Sequence, residues 1–434
     1  MNVQELYRQK LVSPEEAVKR IKSNSEISLA CGLAAPPAIL ETLAQNYQNY
    51  ENVRFYQAIG LLPHRYFMEE AMAGHFVKES LYSAAPDRVA NAKNLSTILD
   101  NTIHLSESGR FMSHWRNVSV FLGTAAPMNK WGYVSLGTST IYEKEALEKA
   151  DIVILEVNEN IPFTHGDAIV HISEVDLVVE NHVPMIEVPL ATPNEKDKII
   201  ARYISDLVPD GATLQLGIGG VPAAVATYLT DKKNLGVHTE LLVDSYVDLW
   251  EAGVVTNLDK TLEKGKMIGC LAIGTKKLWN FMDHNPIVEL RKGSFTNSVP
   301  IMSQNTKLIS INMTMQADFY GQCASESLGA VQYSATGGQL DWVRGAQLSP
   351  GGKSIICFYS TAKNDTISKI VPAISDGSAI TTPRADIDYV VTEYGVAHLK
   401  GKPFSERAKL MIQIAHPKFR DQLEEEAKRL RIIR

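Results

Sequence analysis

The chain has 434 residues, which is too long for one comfortable hydrophobic core, so we expect two large domains or three smaller ones. Its 45% hydrophobic and 21% charged residues are typical of a globular protein rather than a disordered one. The net charge of −6 argues against broad nucleic-acid binding, which needs a basic face to displace counterions.

The N-terminal stretch MNVQELYRQKLVSPEEAVKRIKSN contains acidic residues and no apolar run of signal-peptide length. Nor does any later segment reach the roughly 18 uninterrupted apolar residues of a membrane span. We therefore expect a soluble cytoplasmic protein with no membrane association. Its cysteines are far apart, without CxxC or zinc-ligand spacing, and are interpreted as reduced core residues: Cys31, Cys270, Cys323 and Cys357.

The first half of the chain alternates predicted helices and short buried strands. Ser13 is a predicted N-cap, with Pro14 at the first helical position and Glu16 completing a capping box. The following segments predict strand, helix, strand, helix and strand in turn: ISLACG, ILETLAQNYQNY, VRFYQAIG, IYEKEALEKA and DIVILEVN. This alternation indicates the α/β class.

A boundary is predicted where VPLATPNEKDK brings two prolines and a sudden rise in charge, followed by the amphipathic run KIIARYISDLV. We place the two domains at residues 1–190 and 191–434. The second half restarts the alternation with ATLQLGIGG and VPAAVATYLT, and it ends in two helical stretches.

The segment GIGGVP lies between an apolar strand and a helix that we expect to begin at Val221 or Pro222. Its glycines let a backbone come close to a ligand, and the helix N-terminus offers unpaired N–H groups to an anion or oxyanion. The dinucleotide fingerprint needs a third glycine where this chain has Pro222, so a nicotinamide cofactor is not expected. A tight turn without any ligand remains the alternative.

Other catalytic signatures are incomplete. SPGGKS is similar to the end of a phosphate loop, but the earlier glycine is replaced by Gln347 and a strand follows instead of a helix. There is no G-x-S-x-G elbow, and the scattered histidines show no H-x-x-x-H pair, so neither a serine hydrolase nor a metal site is predicted. His165 and His238 lie in suggestive loops, where a histidine is more often structural than substrate-binding.

Glu240 follows an apolar run in LGVHTELLVDSY. A glutamate there is costly unless it is paired, exposed in a cleft, or takes part in chemistry. The residue alone leaves these readings open.

Taken together, the motifs resemble the acetyl-CoA hydrolase/transferase family, and within it the 4-hydroxybutyrate and butyrate CoA-transferases. The resemblance runs nearly end to end and is carried by seven blocks in the family order: GYVSLGTS (132–139), EVNENIPFTHGD (156–167), LGIGGVP (216–222), LGVHTELLVDSYVDLWEAGVVTN (235–257), GGQLDWVRGA (337–346), YSTAK (359–363) and TTPRADIDYVVTEYGVAHLKGK (381–402).

The resemblance implies two domains of the CoA-transferase (NagB/RpiA-like) fold with the active site at their interface. The glutamate of the family's H-[ST]-E block falls on Glu240, which would be the nucleophile of a ping-pong transfer through a glutamyl-CoA thioester. Asn297 is similar to the family asparagine that faces the carbonyl oxygen. Further CoA contacts are expected at Gly217, Ile218, Gly219, Gly220, Val221, Gly337, Gly338 and Lys363.

The same resemblance implies acetyl-CoA and a short-chain carboxylate as substrates, a homodimer, and no metal or organic cofactor beyond CoA as co-substrate. The carboxylate is expected to enter near ACG (30–32) and FTHGD (163–167). Family members commonly have glycine at the position of Ala335, which is expected to reshape the second loop beside CoA. LACGLAAPPAIL lacks the usual acidic or polar residue after ACG, which favours butyrate or another plain short-chain acid over a hydroxyacid. An acyl-CoA hydrolase using the same glutamate, and a non-catalytic acyl-CoA binding module, remain alternatives.

Overall fold

A computed structural model describes residues 2–95, 97–99, 102–189 and 191–434. Its α-helices are α1 (Val3–Lys10), α2 (Pro14–Val18), α3 (Pro37–Gln45), α4 (Arg65–Met68), α5 (Ala85–Ala92), α6 (Ser108–Arg110), α7 (Glu143–Lys149), α8 (Glu195–Leu207), α9 (Gly220–Thr227), α10 (Asp244–Glu251), α11 (Lys276–Met282), α12 (Gly293–Thr296), α13 (Val299–Met302), α14 (Gln339–Leu348), α15 (Phe404–Gln413) and α16 (Pro417–Arg429).

The strands are β1 (Glu26–Leu29), β2 (Val53–Ala58), β3 (Phe76–Tyr82), β4 (Thr97–Ile98), β5 (Val120–Ala125), β6 (Tyr133–Ser135), β7 (Ile152–Val157), β8 (His165–Gly166), β9 (Ile169–His171), β10 (Leu177–Glu180), β11 (Thr213–Leu216), β12 (Gly236–Val237), β13 (Leu241–Leu242), β14 (Met267–Gly269), β15 (Leu271–Ala272), β16 (Val288–Leu290), β17 (Leu308–Met313), β18 (Gln316–Asp318), β19 (Cys323–Ala324), β20 (Ser327–Leu328), β21 (Val331–Gln332), β22 (Lys353–Cys357), β23 (Thr361–Ala362), β24 (Ile367–Ser368), β25 (Ile370–Val371), β26 (Tyr389–Thr392) and β27 (Gly395–His398).

These elements form two compact units. Unit 1 comprises Met1–Val188 and Ile268–Thr296, and unit 2 comprises Pro189–Met267 and Asn297–Arg434. The structural boundary falls close to the predicted one at 190/191, but the prediction placed residues 268–296 in the second domain, whereas they pack with the first.

The reason for that difference is long-range strand pairing. Strand β16 pairs in parallel with β8, and the backbone N–H of Thr140 donates to the carbonyl of Cys270 at 2.8 Å. The N–H of Ala272 likewise donates to the carbonyl of Thr138 at 2.8 Å. A segment that satisfies its backbone groups on unit 1 folds with unit 1, although it lies in the middle of the second half of the sequence.

Unit 1 is built on a seven-stranded sheet with the order β10-β7-β5-β1-β2-β3-β4, in which every strand pair is parallel. Strands β5 and β7 are buried along almost their whole length, as expected of central strands in a parallel sheet. Ile27, Phe55, Leu122 and Ile154 are each fully buried in the core that results.

Unit 2 is built on a six-stranded sheet with the order β12-β11-β17-β22-β26-β27. The first five strands are parallel and β27 is antiparallel to β26. Its larger core includes Phe319, Val343, Ile356 and Phe358. The carboxyl ends of β11, β12, β17 and β22 therefore meet at one edge of the sheet, where open α/β sheets bind ligands.

The predicted α/β class is confirmed, and so is the first predicted helix start. Ser13 caps α2, its hydroxyl accepts from the Glu16 N–H, and the Glu16 carboxylate accepts from the Ser13 N–H. All four cysteines are buried. Over the described residues, no helix combines the length and apolarity needed to cross a membrane.

Candidate active site

Glu240 lies in a bend between the two short strands β12 and β13, and its side chain is partly buried. The two residues before it, His238 and Thr239, are fully buried. The His238 ring contacts the Asn305 amide at 3.0 Å and meets the edge of Trp342 at a centroid distance of 5.8 Å. The contacts of His238 therefore fix the backbone segment that carries Glu240, which is a structural role.

The Asn297 side chain contacts the carboxylate directly. Its Nδ2 donates to Glu240 Oε2 at 2.7 Å, and the asparagine is itself fully buried. A short bond from a buried amide to a carboxylate fixes both groups in one orientation. The structure thus brings together two residues that the sequence analysis assigned to the site from separate segments, and their catalytic roles stay predictions.

Gly338 gives the carboxylate the space it occupies. A Cβ built on Gly338 would collide with Glu240 Oε2 and with the Asn297 amide nitrogen, and would lie 3.2 Å from Glu240 Cδ. Gly338 is also the N-cap of α14, and Gly337 before it has a φ of +57°. The carboxylate thus lies against the positive end of a ten-residue helix, where negative charge is favoured.

The protonation of Glu240 reflects two opposed effects. Burial raises the pKa of its carboxyl, and the hydrogen bond from Asn297 lowers it without cancelling the rise. A carboxylate with a raised pKa and few solvating waters is a stronger nucleophile than one in bulk water. The site therefore contains a positioned carboxylate suited to attack on an electrophilic carbonyl.

The glycine-rich loop has the predicted strand-turn-helix form. The Gly217 N–H donates to the Ile311 carbonyl at 2.9 Å, and Gly219 has a φ of +128°, which requires glycine. Helix α9 begins at Gly220, one or two residues earlier than predicted. Val221 is fully buried, whereas Ile218 is 59% exposed, so the loop presents backbone and one apolar side chain outward.

Lys363 lies in the hairpin between β23 and β24. Three successive residues there, Lys363, Asn364 and Asp365, have φ angles of +48°, +53° and +62°. They line a surface cavity of about 410 Å³ together with Lys196 and Tyr359. The surface position of Lys363 is compatible with a contact to CoA, and that role stays a prediction.

Sequence reasoning missed Lys196, a second cation of the same cavity. Its Nζ lies 2.7 Å from Asp365 and 3.5 Å from the largely buried Glu393. Nothing in its local sequence distinguishes Lys196 from the neighbouring Lys198 of α8, because its partners Asp365 and Glu393 lie 169 and 197 positions further along the chain.

In unit 1, the ACG segment follows β1. The Cys31 N–H donates to the buried Glu143 carboxylate at 2.9 Å, and Gly32 has a φ of +59°. His165 pairs in β8 opposite Glu289. The role of these segments as the carboxylate entrance stays a prediction.

Within the described residues, no cluster of three or more histidine, cysteine, aspartate or glutamate side chains could hold a metal ion.

Comparison with known proteins decides the family. The chain is 40% identical over 429 residues to the 4-hydroxybutyrate coenzyme A transferase of Clostridium kluyveri, covering 99% of this chain and 100% of that protein. The chain belongs to the acetyl-CoA hydrolase/transferase family. The N-terminal domain of that family matches residues 1–189 and its C-terminal domain matches residues 274–427.

Two further members of this acetyl-CoA hydrolase/transferase family extend the comparison. The butyryl-CoA:acetate CoA-transferase of Anaerostipes caccae is 38% identical over 444 residues, with 100% of this chain and 99% of that protein covered. The crystal structure of RipA from Yersinia pestis is 36% identical, with all of both chains covered and a TM-score of 0.93. The predicted fold and family are confirmed by these similarities.

Proposed function

We propose that this protein is a CoA-transferase that moves CoA between acetyl-CoA and a short-chain carboxylate, with Glu240 as the covalent nucleophile. The observation that carries the proposal is the Glu240 carboxylate itself: it is desolvated, held by the Asn297 amide at 2.7 Å, and accommodated only because Gly338 has no side chain. Similarity to full-length CoA-transferases supports the reaction class.

The first half-reaction has two steps. An oxygen of Glu240 attacks the acetyl thioester carbonyl, the C–S bond breaks, and CoA thiolate leaves an acetyl-glutamyl anhydride. Because Asn297 holds Oε2, we assign the attack to Oε1. The thiolate then attacks Cδ of Glu240, the bond between Cδ and the bridging Oε1 breaks, and acetate departs with that oxygen, which leaves a glutamyl-CoA thioester.

The second half-reaction reverses these steps with a different acid. The acceptor carboxylate attacks Cδ of the glutamyl-CoA thioester and expels CoA thiolate, which forms a mixed anhydride. The thiolate then attacks the acyl carbonyl and releases the Glu240 carboxylate. No water is consumed, so the thioester bond energy is retained in the new acyl-CoA.

The acyl carbonyl develops an oxyanion in the first and last steps and needs donors there, each typically contributing about 3 kcal/mol. We assign these donors to backbone N–H groups of residues 218–221, because the Gly217 N–H already donates to the Ile311 carbonyl. Lys363 would contact the distant phosphates of CoA, where binding energy can support the strained covalent steps.

We propose a class of acceptor, the short-chain carboxylates, and no single acid. Relatives with nearly equal identity carry the names of 4-hydroxybutyrate and butyrate enzymes, and we place both acids in the proposed range. The apolar segment after ACG favours butyrate of the two.

The test is a transfer assay with purified protein. Acetyl-CoA is incubated with butyrate, 4-hydroxybutyrate or no acid, while acyl-CoA products and free CoA are followed by chromatography. Formation of the new acyl-CoA without net loss of thioester supports the transferase. Release of free CoA at the same rate with and without acceptor would instead identify a hydrolase. If neither the new acyl-CoA nor free CoA formed, the non-catalytic binding module would be the remaining alternative.

The control variants are Glu240→Gln, which keeps the shape of the side chain but removes the nucleophile, and Glu195→Gln on the exposed start of α8. We expect the first to abolish transfer and the second to leave it unchanged. Transfer by Glu240→Gln at the wild-type rate would refute the assignment of the nucleophile.

A further inference from the structure

Asp197 is a buried carboxylate to which the proposed reaction assigns no role. It is the third residue of α8 and is 2% exposed. Its Oδ2 accepts from the Asn194 N–H at 2.8 Å, and its Oδ1 accepts from the Tyr359 hydroxyl at 2.6 Å. The Asn194 side-chain amide donates to the same hydroxyl at 2.9 Å. Because both of its oxygens are hydrogen-bonded and shielded from solvent, the carboxylate has a fixed position in unit 2.

This carboxylate lies directly against the glycine-rich loop. A Cβ built on Gly220 would lie 2.5 Å from Asp197 Oδ2, 2.8 Å from Cγ and 2.9 Å from Oδ1. Gly220 is the first residue of α9 and has no positive φ, so alanine could adopt its backbone conformation. The need for glycine at position 220 therefore comes from the space that Asp197 fills, whereas at Gly219 it comes from the φ of +128°.

The position of Gly220 matters because the loop supplies N–H groups to the proposed reaction. The first N–H groups of a helix have no partner within that helix, and the turn that carries them sets their directions. Such donors stabilise an oxyanion most when they already point to the place where its charge develops. A fixed carboxylate that supports the first turn of α9 therefore also fixes the directions of the N–H groups of residues 218–221.

Tyr359 extends this contact to the surface of unit 2. Its side chain lines the cavity of about 410 Å³ that Lys363 also lines. Lys196, which precedes Asp197 in the chain, lines the same cavity and pairs with Asp365 at 2.7 Å. The first turn of α8 thus contacts the glycine-rich loop through one side chain and the proposed phosphate cavity through another.

We propose that Asp197 is a positioning residue for the transfer reaction: it holds the first turn of α9, and with it the N–H donors of residues 218–221, and Tyr359 holds Asp197 in turn. The inference rests on the proposed function, in which these donors serve the substrate carbonyl. Asp197 has no contact with substrate and transfers no proton in this account, so its effect on the rate passes through the position of the loop.

The test is a double-mutant cycle between positions 197 and 220, with the rate of glutamyl-CoA formation as the readout. Single-turnover mixing with saturating acetyl-CoA, quenched and followed by intact mass, gives that rate without an acceptor. In Gly220→Ala the new methyl group meets a carboxylate that is held on both oxygens, and we expect the adduct to form about tenfold to a hundredfold more slowly than in wild type.

Asp197→Ala removes the carboxylate and leaves the loop without its support, so we expect a fall of about tenfold. In the double variant the methyl group at position 220 occupies the vacated space. Gly220→Ala should therefore cost less than about threefold in the Asp197→Ala background.

Three variants separate positioning from the loss of charge and of helix capping. Asp197→Asn keeps the shape of the side chain and should stay within about threefold of the wild-type rate. Glu16→Ala removes the corresponding carboxylate of the α2 capping box in unit 1 and should keep the wild-type rate. Tyr359→Phe removes one bond to Asp197 at a partly buried position, which keeps the test decisive even if Asp197→Ala does not fold.

Tyr359→Phe should slow adduct formation about threefold to tenfold, both with acetyl-CoA and with acetyl-pantetheine. Because acetyl-pantetheine lacks the nucleotide, it leaves the phosphate cavity empty and reports on the loop. A fall with acetyl-CoA only would place the effect of Tyr359 in the cavity and would overturn its link to the loop, as would a wild-type rate with both substrates.

An equal cost of Gly220→Ala in the wild-type and Asp197→Ala backgrounds would overturn the inference, because Gly220 would then be constrained by something other than Asp197. A rate in Asp197→Asn as low as that in Asp197→Ala would assign the effect to charge and would also overturn it. A wild-type protein that forms no adduct at all would instead refute the covalent function, and the inference with it.

Discussion

Substitution of Gly338 by alanine should displace the Glu240 carboxylate without removing it, and so tests how much the rate depends on the position of that carboxylate. The new methyl group would lie 3.2 Å from Glu240 Cδ and in direct conflict with Oε2 and the Asn297 amide. Ordinary carbon contacts need roughly 3.5 Å or more, so the carboxylate and amide must move apart. Gly338 has a φ of −94°, which alanine tolerates, and backbone strain therefore adds little.

The expected magnitude follows from that displacement. Misplacing a reacting group by about 1 Å costs roughly a hundredfold in rate, and we expect kcat of Gly338→Ala to fall by about that factor. Overpacking typically costs about 1–3 kcal/mol of stability, which should leave the variant folded. Steady-state kinetics with acetyl-CoA and acceptor, together with thermal unfolding, measure the two effects separately.

Gly345→Ala is the matched control on the same helix. Its methyl group would meet the flexible Met302 thioether instead of the carboxylate, so it should lower stability with kcat within a few-fold of wild type. If Gly338→Ala kept the wild-type kcat, the claim that Gly338 provides the space for the Glu240 carboxylate in its reactive position would be refuted.

Three further predictions concern the same unit. Asn297→Ala should lower kcat by about 10²–10³-fold with little change in KM, measured by steady-state kinetics; a purely raised KM would contradict a role in charge stabilisation. Because the folded-state pKa of Glu240 is raised, its ionisation opposes folding as pH rises through that pKa, so Glu240→Gln should gain stability over wild type at pH 8 but not at pH 4 in urea titrations. An equal difference at both pH values would contradict this. Lys363→Ala should raise KM for acetyl-CoA with kcat unchanged, and the effect should shrink in high salt; a salt-independent change would place Lys363 outside the phosphate site.

Local signals in the sequence were sufficient for much of the fold. The capping box at Ser13 and the glycine turn after β11 depend only on neighbours within a few residues, and both occur as predicted. The α/β class follows from alternation that is visible along the chain. Glu240 was conspicuous because a charge in an apolar run has an energetic cost that requires an explanation.

Features that depend on distant pairing were not predictable. Residues 268–296 join unit 1 through β16 and β8, which are more than a hundred positions apart. No change of composition marks the point where the chain passes from unit 2 back to unit 1. Asn297 was found only through family resemblance.

The central claim is that Glu240 becomes covalently attached to CoA, and intact mass after incubation with acetyl-CoA and no acceptor tests it most directly. We predict a CoA-sized adduct in the wild-type protein that borohydride reduces at Glu240 and that Glu240→Ala lacks. A wild-type protein that binds acetyl-CoA tightly yet forms no adduct would contradict the account and favour a non-catalytic binding role.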